Sequence, residues 1–173
     1  MKNSITIVVT VFALTLSALA ADKTAKITGV HLCCQGCVTG VEKAVATVKG
    51  ATASVDQDAE TVSLSGPDTA TVQKAADALV AAGYFGKSSD ANIKLAPDTG
   101  AKGKKVQTLK LEGVHLCCGK CVSAVDKAVK SVSGVQQHTA KKDAASFEVT
   151  GDFNDKEVVE ALQKAGLSGK VAK

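Results

Sequence analysis

The feature that most constrains this chain is a motif it writes twice. "GVHLCCQGCV" occupies Gly29–Val38, and "GVHLCCGKCV" returns 84 residues later at Gly113–Val122. Aligned over Gly29–Val45 and Gly113–Val129, twelve of seventeen positions are identical, and Glu42 against Asp126 keeps the charge. All six cysteines lie in these two stretches. A repeat of this period is too long for a solenoid unit and fits a small independent domain. With 3% aromatic residues and no Trp, any core must be built from Val, Leu, Ile and Ala, which suits two small cores better than one large one.

Each unit shows the same succession of periodicities. "AKITGVHL" alternates as a strand, and Val38, Val41, Val45 and Val48 then recur on one helical face. Lys49-Gly50 stops that helix. "ATASVDQDAETVSLSG" reads as two strands around a polar turn, and "PDTATVQKAADALVAAG" as a helix capped by Asp68 or Thr69, with Val72, Ala76 and Leu79 facing inward. "YFGKSS" supplies a last short strand. The second unit repeats the order, with Val122, Val125, Val129 and Val132 as the helix stripe and Phe147 and Val149 as inward strand residues. The fold class is α+β, two tandem ferredoxin-like βαββαβ domains. The boundaries are a signal peptide over 1–20, a first domain over 23–88, a polar linker over 89–104 with a short strand at Ile93–Leu95, and a second domain over 105–173.

The first twenty residues have the shape of a secretory signal: Lys2, an apolar run from Ile5 to Leu16, and the small-x-small end Ala18-Leu19-Ala20. The run is short against the ~20 residues of a membrane span, so no stable membrane insertion is expected after cleavage. The expected location is secreted or periplasmic. Removing Lys2 lowers the net charge from +4 to +3. The lysines are dispersed and not interleaved with aromatics, which argues against nucleic-acid binding.

In each unit the motif falls where the first strand becomes the first helix. There Cys34 with Cys37, and Cys118 with Cys121, point toward one place, and the helix N-terminus favours their thiolates. Cys33 and Cys117 add a third sulfur at the loop. Such a site selects soft or borderline ions. Two sulfurs suit copper(I) or mercury, three make a trigonal site, and four drawn from two domains or two molecules suit zinc. Copper(I) stands first, with zinc, mercury or cadmium as the other ions. The competing readings are a structural disulfide, which leaves an odd cysteine in each unit, and a thiol–disulfide exchange protein of the cell envelope. His31 and His115 read as surface residues or as groups behind the ligands, with metal ligation the lesser alternative, and His138 as a strand surface residue.

At these residues the chain resembles the heavy-metal-associated domain family, in two tandem copies. That family includes copper chaperones, the N-terminal domains of metal-transporting P-type ATPases and the periplasmic mercury-binding protein. Its motif is G-M-T-C-x-x-C followed by a helix often reading V-E-K-A, and "HLCCQGCVTGVEKAV" and "HLCCGKCVSAVDKAV" match it twice. The resemblance implies that Cys34, Cys37, Cys118 and Cys121 bind metal. It also implies a non-enzymatic scavenger or chaperone working by thiolate exchange, partnered by a metal-transporting membrane protein or another carrier. The chain departs from the family at His31 and His115, which replace Gly, at Leu32 and Leu116, which replace Met, and at Cys33 and Cys117, which replace Thr. Tyr84 follows Ala-Gly as in the family's "AGY" near the site, where it would shield the metal. Leu167 takes that place in the second unit.

Overall fold

The computed structural model describes residues 22–172; the expected signal segment lies outside them. The first unit runs β1 (Lys23–Thr28), α1 (Gln35–Ala46), β2 (Thr52–Asp56), β3 (Thr61–Gly66), α2 (Thr69–Ala81) and β4 (Lys87–Ser88). The second runs β5 (Lys105–Glu112), α3 (Gly119–Lys130), β6 (Val135–His138), β7 (Ser146–Asn154), α4 (Asp155–Lys164) and β8 (Lys170–Val171). The sheets have strand orders β2-β3-β1-β4 and β6-β7-β5-β8, with every pairing antiparallel. Each unit is therefore a ferredoxin-like βαββαβ fold.

Periodicity explains the cores. Ala25 and Ile27 of β1 and Val62 and Leu64 of β3 are buried against Val41 and Val45 of α1 and Val72, Ala76 and Leu79 of α2. In the second unit Leu109, Leu111, Phe147 and Val149 meet Val125, Val129, Val158 and Leu162. Asp68 caps α2 by accepting from the Thr71 N–H at 2.7 Å, and Asn154 caps α4 through the Lys156 N–H at 3.0 Å. Val48, beyond the end of α1, and Val122, in the first turn of α3, are only half-buried.

The segment between the units lies along the fold. The Gln73 side chain brackets Lys94, donating to its carbonyl at 2.8 Å and accepting from its N–H at 2.9 Å. Ile93 is buried. The strand expected at Ile93–Leu95 does not form; the chain turns there, with the Ile93 N–H on the Asp90 carbonyl at 3.1 Å. Further on, the Asp155 carboxylate accepts from the N–H groups of Lys102 and Lys104, both at 2.9 Å.

The units meet through equivalent tripeptides, Ala82-Gly83-Tyr84 and Ala165-Gly166-Leu167. Tyr84 and Leu167 form an antiparallel bridge. The Ser168 N–H donates to the Gly83 carbonyl at 2.8 Å, and the N–H groups of Phe85 and His31 donate to the Gly166 carbonyl at 3.0 and 3.2 Å. Each glycine lies under the other unit's motif loop. A Cβ on Gly83 would fall on the backbone of Gly113 and His115, and one on Gly166 on the backbone of Gly29 and His31. The same surface is thus used twice, as at a two-fold interface within one chain.

Candidate metal centre

That reciprocal docking turns two loops toward one point. Cys34 and Cys118 are the N-cap residues of α1 and α3, with extended backbone at φ −165° and −154°. Cys37 and Cys121 sit three residues on, in the first helical turn, fully buried. Cys33 and Cys117 end the preceding loops, held down by the buried plugs Leu32 and Leu116. All six sulfurs converge, and the distances repeat across the pseudo-two-fold. Cys33–Cys37 and Cys117–Cys121 are both 3.7 Å. Cys34–Cys37 is 4.0 Å and Cys118–Cys121 is 3.9 Å. Between units, Cys33–Cys118 is 3.5 Å and Cys34–Cys117 is 3.6 Å. Cys33–Cys121 and Cys37–Cys117 are 3.6 Å, Cys34–Cys118 is 3.8 Å and Cys37–Cys121 is 4.0 Å.

The sequence reading drew one ligand pair per unit and counted Cys33 and Cys117 as extras. The structure brings together every cysteine singled out, and it places Cys33 and Cys117 at the seam, each as close to the other unit's sulfurs as to its own. All six are free thiols. Cysteines commonly pack as small apolar residues, but these are only partly enclosed: Cys33, Cys34, Cys117 and Cys118 are all half-buried.

The protonation pattern follows from the geometry. The Cys118 thiol is lowered to about 6, chiefly by the backbone N–H of Cys121 at the start of α3. Cys37 is held far below the usual thiol range, first by an S–H donated from Cys121. Cys121, the donor of that pair, is pushed up. Burial raises Cys33 to about 12 and also raises Cys117. The inner pair therefore carries one thiolate, and neighbouring S–H groups solvate it.

Two histidines that the sequence reading placed at the surface or behind the ligands flank the sulfurs. A nitrogen of His115 lies within 4.8 Å of the Cys37, Cys117 and Cys121 sulfurs, and one of His31 within 4.8 Å of those of Cys33 and Cys121. Their surroundings differ because Tyr84 and Leu167 differ. The buried Tyr84 hydroxyl donates to the Cys37 carbonyl at 3.0 Å and meets His115 Nε2 at 3.0 Å. With its one proton committed to the carbonyl, the hydroxyl accepts from His115, which fixes that ring's tautomer. Leu167 offers no hydroxyl, so His31 Nε2 is buried without a hydrogen-bond partner among the described residues. Burial, the largest influence on it, lowers the His31 pKa. His138 corrects the expectation of a strand surface residue. Its Nδ1 accepts from the Ala140 N–H at 3.2 Å and its Nε2 bonds Asp126 at 2.9 Å, tying β6 to α3.

Residues 108–168 match the family model described as heavy-metal-associated domain. Three solved structures are similar to parts of the chain. The N-terminal domain of PacS from Synechocystis PCC6803 is 25% identical, with 39% of this chain and 100% of that one covered, at a TM-score of 0.36. The apo form of the HMA domain of the copper chaperone for superoxide dismutase is 27% identical over 51% of this chain and 86% of that one, at 0.35. The N-terminal soluble domains of Bacillus subtilis CopA are 18% identical over 89% of this chain and 96% of that one, at 0.32.

Proposed function

We propose that this chain, whose residues 108–168 match the heavy-metal-associated domain model, is an exported carrier of soft metal ions in which the first unit is a second copy of that domain. Copper(I) is the first candidate cargo, ahead of zinc, mercury and cadmium. The protein scavenges the ion or hands it on to a metal-transporting membrane protein or another carrier. It acts in the secreted or periplasmic space, the destination its first twenty residues suggest.

One observation carries this reading: six thiols from two helix N-termini meet in a single half-open cluster. Thiolate sulfur at this density favours soft ions. Transfer proceeds by exchange, an incoming thiolate adding to the metal before one of the protein's own leaves. The half-buried Cys33, Cys34, Cys117 and Cys118 are the ligands within reach of a partner. The decisive experiment is anaerobic titration of the reduced protein with Cu(I), Zn(II) and Hg(II) against chromogenic competitors. Tight uptake of at least one, weakened in Cys34→Ser/Cys118→Ser, is expected; no competition for any of them, or binding untouched by that double variant, would overturn the proposal.

A second reading, thiol–disulfide exchange, has its own observation: the acidified Cys118 thiol lies 3.5 Å from Cys33. Turnover of a disulfide substrate together with indifference to metals would select it.

A further inference from the structure

We propose that the six cysteines together hold one polynuclear copper(I)–thiolate cluster of four ions, bridged across the two units, in place of one ion on each C-x-x-C pair. The inference rests on the soft-metal reading above and concerns how many ions the site takes and how.

The sulfur spacing selects the coordination number. With metal–thiolate bonds of ~2.3 Å, a linear two-coordinate ion needs its sulfurs ~4.6 Å apart, and a trigonal one ~4.0 Å. The C-x-x-C pairs stand at 4.0 and 3.9 Å, short of the linear span and near the trigonal one. The close sulfurs also fall into triangles. Cys37, Cys117 and Cys121 have edges of 3.6, 3.7 and 4.0 Å, and Cys33, Cys37 and Cys121 have edges of 3.7, 3.6 and 4.0 Å. Cys34, Cys37 and Cys117 have edges of 4.0, 3.6 and 3.6 Å. The centre of such a triangle lies ~2.2 Å from each sulfur, about one metal–thiolate bond.

The ten sulfur pairs at 3.5–4.0 Å are ten of the twelve edges of one octahedron, in which Cys33 stands opposite Cys117, Cys34 opposite Cys121 and Cys37 opposite Cys118. The other two edges join neighbouring cysteines of one loop, Cys33 and Cys34 lying within 4.8 Å of each other. With edges of ~3.7 Å the octahedron's centre is ~2.6 Å from every corner, beyond a bond of ~2.3 Å, so one central ion cannot use all six. The ions belong on the faces. Four faces share corners but no edges: Cys33/Cys37/Cys121, Cys34/Cys37/Cys117, Cys33/Cys34/Cys118 and Cys117/Cys118/Cys121. One copper(I) on each gives every ion three sulfurs and every sulfur two ions.

Charge favours sharing over two separate trigonal ions. Two copper(I) ions on six thiolates leave a charge of 4−, and four leave 2−. The Lys120 ammonium, 3.4 Å from the Cys33 carbonyl, supplies one positive charge beside the site. An anion in a half-buried pocket is costly without counter-charge. Assembly takes in four copper(I) ions; every cysteine that still holds its proton releases it to solvent, and each sulfur ends with two Cu–S bonds. No electron moves, because the copper arrives as copper(I). The third cysteine of each motif thereby has a task, since without Cys33 and Cys117 no corner-sharing set of four faces exists.

The test uses the full chain, reduced, anaerobic and first shown to carry six titratable thiols. Copper(I) is delivered as its acetonitrile complex, with uptake followed by native mass spectrometry and by the long-wavelength emission of shielded copper(I)–thiolate clusters. The expected result is saturation at four ions, with the apo and four-copper species dominating at half-loading and emission levelling at four equivalents. Cys33→Ser/Cys117→Ser should fold with an unchanged circular dichroism spectrum, saturate at two ions or fewer and lose the emission. Saturation of the wild type at one or two ions, or four ions retained by the double variant, overturns the cluster and leaves the soft-metal reading standing. No uptake at all overturns both.

Discussion

Gly83→Ala tests whether the two units are one packed body. Gly83 has φ +91°, and its added Cβ would stand 2.5 Å from the Gly113 carbonyl oxygen and closer still to the His115 amide nitrogen. Those are backbone atoms, which cannot swing aside as a side chain can. Gly50 is a matched control. Its φ is nearly the same, +82°, but the Cβ would meet only the Pro67 ring at 3.7 Å. Both alanines carry a left-handed cost of ~1–2 kcal/mol. Both gain ~0.4–1 kcal/mol from a less flexible unfolded chain. Gly50→Ala should therefore destabilise by about 1 kcal/mol on those two terms. Gly83→Ala must also shift the other unit, disturbing the Ser168–Gly83 hydrogen bond and the Tyr84 hydroxyl bonds. At about 1 kcal/mol for each of these, its total should reach about 3–4 kcal/mol. Urea unfolding of the reduced apo proteins measures the difference. Brief oxidation followed by peptide mapping gives a second readout: disulfides between units, such as Cys34–Cys117, should predominate in wild type and fall in Gly83→Ala. Equal stability of the two alanine variants would refute the close approach at Gly83, and with it the shared sulfur cluster.

Tyr84→Phe removes a buried hydroxyl that bonds both the Cys37 carbonyl and His115. It should lower stability by ~1–3 kcal/mol and change the His115 ring signals in NMR; a wild-type melting curve would refute the bond. Asp155→Ala should release the chain at Lys102–Lys104 and speed tryptic cleavage there, since the carboxylate holds both N–H groups. Burial acts to raise the Asp155 pKa, but those N–H groups outweigh it and hold the carboxyl below its usual range. The sign follows: the stabilisation is complete above the unfolded value of about 3.9 and fades as pH falls through the lower folded value. The stability gap between wild type and Asp155→Ala should thus stay level from neutral pH to about 4 and close below it, as urea titrations at several pH values would show.

The sequence alone determined the order of elements and the faces they bury, because both are local. Helical spacing at Val41 and Val45, alternation at Ala25 and Ile27, and caps such as Asp68 act over a few residues and leave their period in the chain. It also marked the cysteines, because a thiol pair at a helix start is a local arrangement. His138 was misread because its partner Asp126 lies on the neighbouring helix, and a strand's alternation carries no trace of that bond. Above all, the sequence could not say that its two motifs build one site. That depends on Gly83 and Gly166 lying flat against the other unit's loop, a contact between backbones that needs only the absence of a Cβ. Docking across this seam sets Cys33 3.5 Å from Cys118 and Cys34 3.6 Å from Cys117. Rigid-body placement of this kind is a property of two surfaces meeting, and only the tertiary structure fixes it.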